Sequence, residues 1–459
     1  MRRKKKDLHA RVNGNLEIDF TSERLTSHGG LELMIRYLRM IRWSDQLRRR
    51  LGRWVSGGDY GTAGMCQAIL GLLILGGRRL RHLSFLRGDP LMQRFCALKD
   101  LPSDRSASRF LKRFTAPSEE ALKRLNADVV ARGVRQLRAR TLTIDVDGTV
   151  LSTGLKAGGA ARGYNPHRRK VPSYFPITAY LADSGHFLRL DNRPGNVHDG
   201  AASVDFLKSV FTQVEDTLPR ANRLRLRMDG AFFNARVLDE LDKHKASYAV
   251  KVPFWQGLDL KGQIAGQRRW RRVEEGTDAF ATTVTVKKWK RTFRAIVFRK
   301  KVMHPTRKNY QLNLFDPGDG TFEYSAVATN LSLGARALWR FMGGRGLHEK
   351  AIGELKSNLA FDTIPTKDYR ANGAWQQFAL LACNLLANFQ IETGLAQRNR
   401  TLKCTARWAL QSARTLRFEL FNRAGRLVRT GGKNTLRLER NEQVESRFRQ
   451  INAYLRLAV

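Results

Sequence analysis

From residue 141 the chain reads strand, strand, strand, helix, strand, helix, strand, and this order constrains the fold more than any other feature. TLTIDVDGTVL alternates, with Leu142, Ile144 and Val146 on one face and Thr143, Asp145 and Asp147 on the other. SYFPITAYLA and HFLRLDNR follow, joined across Asp183-Ser184-Gly185, a hairpin turn signal. AASVDFLKSVFTQVEDTL reads as a helix and NRLRLRMD as a strand ending at Asp229. FNARVLDELDKHK is again helical and SYAVKVP again a strand. The pattern predicts an α/β fold: a mixed sheet with helices on its faces.

Other textures flank this stretch. Before it, LELMIRYLRMIRWSDQLRRRL places Leu31, Met34, Ile35, Leu38 and Ile41 near helical spacing, which predicts a helix over 31–51. Ser103 and Asp104 are expected to cap one further helix and Ser118 another, with Glu119 and Glu120 in the latter's first turn. Arg105, Arg109, Lys112 and Arg113 would suit either a helix-turn-helix-like DNA reader or an ordinary basic bundle. AILGLLILGG is about half a membrane span, so it reads as a buried helix. After residue 254 the texture is β, in FATTVTVKKW and RTFRAIVFRKKV. SLGARALWRFMGGRGLHEKAIGELKSNLA returns to helix, WQQFALLACNLLANFQIETGL reads as a core helix, and a basic, mixed tail breaks at Gly431-Gly432.

A hydrophobic content of 42% is enough to bury cores, which excludes wholesale disorder. The formal charge of +42, from 83 Lys+Arg against 41 Asp+Glu, destabilises a compact chain by self-repulsion unless a polyanion offsets it. Nucleic acid fits that partner, because phosphate contacts release counterions. An anionic membrane fits poorly, because the cations are spread along the chain rather than packed beside an apolar helix. The leading RRKKK reads as an arm on phosphates or as a solvated tail, and no apolar stretch follows to make it a secretory signal. Cys66, Cys96, Cys383 and Cys404 are too scattered for a zinc site and read as free thiols of a reducing cytoplasm.

In so basic a chain, acids at strand ends and on a helix face need a reason. Asp147 and Asp229 end strands beside Gly148 and Gly230, where a sheet exposes functional side chains. Arg345, Glu349, Ile352, Lys356 and Leu359 recur at helical spacing and share one face, so Arg345 and Lys356 lie on the glutamate's side and are expected to hold a phosphate there. Glu354 lies well round that helix and reads as solvated. Taken alone, Arg345 with Glu349 is equally well a surface ion pair of little worth.

Taken together, Asp147 in Asp-x-Thr, Asp229 in Asp-Gly-x-Phe and Arg345-x3-Glu349-x6-Lys356 resemble the catalytic acids of bacterial DDE insertion-sequence transposases. The resembling branch has the signature Tyr-x2-Arg-x3-Glu-x6-Lys. GYNPHRRKVPSYFPITAYLADSGHFLRLDNRPGNVHDGAASVDFL is also similar to that family's segment between the two aspartates, and the resemblance covers about residues 140 to 395. One position departs, with Met342, next to Phe341, standing where the signature has tyrosine.

The resemblance implies an RNase H-like core interrupted by a β-rich insertion. Within the stretch it covers, it marks the first part of the core (141–253), the insertion (254–332) and the second part with the glutamate helix (333–396), while texture and charge set off a helical, basic region expected to bind DNA (1–140) and a basic C-terminal region (397–459). It implies that Asp147, Asp229 and Glu349 clamp two Mg²⁺ or Mn²⁺ ions for in-line phosphoryl transfer: hydrolysis at the element's ends, then strand transfer into target DNA. Double-stranded DNA is then the partner, as inverted-repeat ends and as target. A homodimer in a synaptic complex and a cytoplasmic, nucleoid-associated setting in a bacterium are also implied.

Further candidates each carry a second reading. Asp145 points the same way as Asp147 and is an alternative ligand. Asn196, His198 and Asp199 in RPGNVHDG are loop-structuring material, with Asp199 and His198 also able to support a site. Trp289, set among Lys287, Lys288, Lys290 and Arg291, is a candidate to stack on a displaced base, as is Trp270; core packing is the alternative for both. Tyr164, Arg168, Arg169 and Lys170 read as a DNA-backbone contact or a solvated basic loop. The competing functions are a domesticated, non-catalytic nucleic-acid-binding protein and a nuclease on the same fold without strand transfer.

Overall fold

The alternation read from residue 141 forms the middle of a nine-stranded sheet in a computed structural model of the chain, which describes residues 18–154, 156–163, 165, 168, 170–301, 322–399 and 405–457. The RRKKK arm, Tyr164, Arg169 and Cys404 lie outside the described residues.

The N-terminal part is helical. The helix expected over 31–51 is two, α1 (Leu31–Met40) and α2 (Trp43–Leu51). Arg42 between them takes a left-handed φ of 52°. That break turns Trp43, Leu47 and Leu51 inward, out of phase with the buried stripe of α1. In α3 (Gly61–Ile74) every residue from Gly64 onward is buried. Among the described residues no helix is long and apolar enough to cross a membrane. Ser103 caps α4 (Asp104–Leu111), its Oγ accepting from the Ser106 N–H at 3.1 Å. The next helix, α5 (Ala116–Arg135), starts earlier than Ser118 implied: Pro117 in its first turn suits a helix start, and Thr115 is the cap, in a reciprocal box with Ser118.

Then the sheet is laid down: β1 (Thr141–Gly148), β2 (Ile177–Leu181), β3 (His186–Asp191), α6 (Val204–Thr217), β4 (Arg223–Met228), α7 (Ala235–Lys243) and β5 (Ser247–Val252). Strand order is β3-β2-β1-β4-β5; β2 is antiparallel to its neighbours, while β4 and β5 run parallel to β1. This is the RNase H-like arrangement. The insertion adds β6 (Arg271–Glu274), β7 (Thr277–Val286), β8 (Arg291–Lys301) and β9 (Phe322–Thr329). It is no separate unit: β9 returns antiparallel to β5, and the sheet continues outward through β8 and β7 to β6. Next come α8 (Ala335–Gly343), α9 (Gly346–Asn358) and α10 (Tyr369–Glu392), before a C-terminal hairpin and a final helix (Glu442–Leu457).

Leu142, Ile144 and Val146 pack against α6 and α7. On the other face, α10 packs with α5 and with α1 to α4 in one hydrophobic cluster that also takes in Leu416, Phe421 and Ile451 near the C-terminus. The two ends meet again where Leu25–Thr26 pairs with Gly425–Thr430, the first strand of a hairpin. Gly431 and Gly432 turn that hairpin with φ of 56° and 76°, as a tight two-residue turn requires.

β3 is an edge strand, and an open edge invites pairing with another chain. Here amide side chains close it. Asn384 of α10 accepts from the Phe187 N–H (2.9 Å) and donates to the Phe187 carbonyl (2.8 Å), while Gln377 and Gln213 donate to the carbonyls of Leu190 and Leu188. His186 at the strand start is fully buried against Asn388 (2.8 Å), and burial holds its imidazole down at about 4 from an ordinary 6.5. The unfolded chain therefore takes a proton that the folded one refuses as pH falls from 6.5 to 4, and stability drops across that window. Urea midpoints of wild type and His186→Gln are expected to diverge below pH 6.5, with the wild type losing more; parallel curves would refute this.

Candidate active site

Parallel strands in register place Asp145 of β1 opposite Arg227 of β4. Both side chains are fully buried, and Arg227 grips Asp145 with two bonds, Nε–Oδ1 at 2.5 Å and Nη2–Oδ2 at 2.7 Å. Arg227 also donates to the Phe341 carbonyl at 2.6 Å and lies over that ring. The carboxylate of Asp145, the alternative ligand, is thus engaged in a buried ion pair. Two residues further along each strand, Asp147 and Asp229 reach the sheet's open end.

Three acids converge there on one guanidinium. Arg345 stands just before α9, with Nη2 2.7 Å from Asp147 Oδ2 and 3.8 Å from Asp229 Oδ2, and Nη1 4.0 Å from Glu349 Oε1. The side chains are graded in exposure, Asp147 at 18%, Asp229 at 35% and Glu349 at 65%, so Asp147 is the floor of the cleft and Glu349 its rim. Asp229 Oδ1 is taken by the Ala231 N–H at 3.0 Å, which leaves Oδ2 for the cleft. Glu349 lies in the first turn of α9, where the helix dipole favours a negative charge.

Burial pushes the Asp147 carboxyl up to about 7; Arg345 opposes this, while Asp229, Asp199 and Glu349 add to it. Acids crowded in this way gain from a shared cation. The set offers oxygen donors only, which fits Mg²⁺ or Mn²⁺ better than zinc. Among the described residues no three His, Cys, Asp or Glu side chains already stand as a closed metal-binding group; Arg345 occupies the space between the acids.

The helix face read from the sequence is present, with one difference in Lys356. Its ammonium donates to Thr149 Oγ1 (2.6 Å) and to the Val150 carbonyl (3.2 Å), tying the end of α9 to the loop that follows Asp147. Glu354 is not simply solvated: one oxygen accepts from the Ala413 N–H at 2.6 Å and the other from Asn358 at 2.6 Å.

His348, absent from the sequence reading, seats the helix. It is fully buried, stacked on Tyr180, with Nε2 2.9 Å from Thr178 Oγ1. The Thr178 hydroxyl also reaches the Asp147 carbonyl at 3.3 Å, so it links the His348 ring to the strand that carries Asp147. Burial, with Arg345 and Arg227 nearby, lowers its pKa to about 3, so the ring stays neutral. The sequence signal was a histidine immediately before the glutamate on a helix otherwise read for its acids.

Asp199 lies close by and is buried in an ion pair with Arg193, which stacks over Phe175. The approach is tight: a Cβ at Gly148 would come within 2.6 Å of Phe175 and 2.9 Å of Asp199. Asp199 thus shapes the wall beside Asp147, while His198 is exposed. Trp289 packs on Phe233 (5.2 Å between ring centroids) and meets Trp255 edge-on. Lys288 and Lys290 beside it are exposed. Trp270 is taken up by packing on Phe280, beneath Arg299. Arg168 is exposed, and its backbone N–H is held by Asn165 at 2.9 Å. Met342 packs with Phe341 against the small cluster around Phe298 and Leu338.

The family described as "Transposase DDE domain group 1" matches residues 8–459. No curated protein matches. Among solved structures, the chain is similar to a piggyBac transposase in a synaptic complex with hairpin DNA, at 10% identity and a TM-score of 0.41, over 78% of this chain and 71% of that one. It is also similar to the Mos1 transposase in a paired-end complex with the left transposon end, at 10% identity and a TM-score of 0.18, over 39% of this chain and 56% of that one.

Proposed function

This chain belongs to the DDE transposase family, whose members are polynucleotidyl transferases, and from that premise we propose that Asp147, Asp229 and Glu349 are its catalytic acids. The observation that supports the assignment is their convergence on Arg345, whereas Asp145 is paired with Arg227. The three acids would hold two Mg²⁺ or Mn²⁺ ions, which supply Lewis-acid stabilisation of the phosphate's developing charge.

The chain's own residues do the rest. Arg345 keeps the acids facing one another and offers a phosphate a planar, charged donor group. Lys356 and His348 fix the ends of α9 against β1 and β2, so that Glu349 stays in register with Asp147. Lys288, Trp289 and Lys290, with Arg168 and Arg169, are DNA contacts in this reading. The substrate is duplex DNA: the element's ends are cut first, and the freed 3′ hydroxyl then attacks target DNA. The reading also takes the chain as a member of the Tyr-Arg-Glu-Lys branch from a bacterial insertion sequence, working in the cytoplasm. It takes residues 1–140 as a DNA-contacting region and a homodimer as the working form, because two ends must be joined in one complex.

The test is nicking of supercoiled plasmid by purified protein with Mg²⁺. Wild type is expected to nick and Asp229→Ala to lose the activity. Equal background from both would remove the metal-site assignment.

A further inference from the structure

A groove of about 1430 Å³ lies beyond the C-terminal end of α9, between α4, the Leu80–His82 turn and the Thr363–Pro365 loop. Six cations line it: Arg78, Arg79, Arg81, Arg105, Arg109 and Lys112. Asp104 is the one acid of the lining, and its Oδ1 already accepts from the Arg105 N–H at 2.8 Å. Among the described residues only Arg78 of the six has a carboxylate partner, Asp362 at 2.6 Å. Arg79, Arg81, Arg105, Arg109 and Lys112 are all exposed. Five such charges around one concavity repel one another, and among the described residues none of the five has a carboxylate to offset it; Arg109 reaches only the Ser106 hydroxyl, at 3.5 Å.

Arg78 joins the groove to the cleft. Its Nη1 donates to the carbonyls of Lys356 and Ser357, both at 2.9 Å, at the end of the helix that carries Glu349. Lys356 in turn holds Thr149, two residues past Asp147. From Glu349 to Lys356 is about 10 Å along a helix axis, a few phosphate spacings of duplex DNA.

We infer that this groove is a backbone track for duplex DNA, gripping the phosphates of the arm that leads away from the cleaved bond. The inference rests on the DNA-cleaving reading of the acids. Both walls contribute, α4 from one side and the Leu80–His82 turn from the other, so the grip spans the groove. A protein partner would need an acidic, shaped counterpart, whereas a duplex supplies evenly spaced negative charge to any row of cations.

The test is fluorescence anisotropy of a short labelled random duplex, without divalent metal, over a series of salt concentrations. Arg105→Ala/Arg109→Ala/Lys112→Ala is expected to weaken binding at least about tenfold at moderate salt, and to reduce the slope of log affinity on log salt by about two to three. The matched Arg→Lys version, Arg105→Lys/Arg109→Lys, should keep most of the affinity, because counterion release depends on the charge that lysine and arginine share. Removing three exposed cations elsewhere, Arg429→Ala/Arg437→Ala/Arg440→Ala, should cost much less. The inference is overturned if the Ala triple binds with unchanged slope, if the distant triple loses as much, if the Lys pair loses as much as the Ala triple, or if single-stranded nucleic acid is bound in preference. Failure of the catalytic reading would look different: Asp229→Ala would nick saturating DNA as well as wild type, whatever the groove variants do.

Discussion

Asp147→Asn is expected to lower Mg²⁺-dependent nicking by about 10³-fold or more, since it removes the deepest charged oxygen of the cleft and with it several kcal/mol of stabilisation of the reaction. The fold should not suffer. Burial and the neighbouring acids hold this carboxyl at about 7, above its ordinary 3.8, so ionising it works against the folded state. The sign follows. In metal-free protein the folded chain keeps a proton that the unfolded chain has released, so Asp147 contributes stability below pH 3.8 and loses it as pH rises through about 7. The melting temperature of Asp147→Asn should therefore equal or exceed that of wild type at neutral pH, and the gap should close toward pH 4. A variant that melts well below wild type at pH 7 would mark Asp147 as structural instead.

Two residues back on the same strand the effects reverse. Asp145→Ala leaves the guanidinium of Arg227 buried without its partner, and breaking a buried pair from one side costs about 3–5 kcal/mol. The urea midpoint should fall accordingly. Replacing both members, Asp145→Leu with Arg227→Met, should recover much of the loss, because the cost lies in the uncompensated charge rather than in the absence of the pair. If the single and double variants are equally destabilised, the hydrogen bond from Arg227 to the Phe341 carbonyl carries more than the ion pair does. The two aspartates thus separate in opposite assays, one through activity and the other through stability.

The sheet was legible from residue 141 because its strands alternate and its helices carry their own stripes. The convergence of Asp147, Asp229 and Glu349 was legible as a motif but not as geometry. The choice between Asp145 and Asp147 had a usable signal: Asp-x-Asp in β1 runs parallel to Arg-x-Asp in β4, and in-register pairing sets acid against arginine at one level and leaves two acids at the next. That inference needs the register, which alternation alone does not give. Lys356 was placed on the correct face, but its bond to Thr149 depends on where a loop returns, which helical spacing does not encode. Arg42 and Thr115 show the same limit locally. A change of phase in one apolar stripe and a proline in a first turn moved helix ends that apolar spacing in one case and a capping residue in the other had placed elsewhere.

The continuity of the sheet has a consequence for synthesis. Asp147 and Asp229 leave the ribosome first, on β1 and β4. The chain then travels to the far edge of the sheet and back before β9 closes on β5 and α9 can deliver Arg345 and Glu349. The large cluster that backs this face is still open, because α10 follows α9, and Leu25–Thr26 finds its strand partner only near the end of the chain. Pairings so distant in sequence form late, because loop closure must precede the contacts that reward it. A nascent chain therefore carries a pair of acids but no third acid and no arginine between them. On the proposed assignment, competence to cut is acquired late, once β9 and α9 are in place.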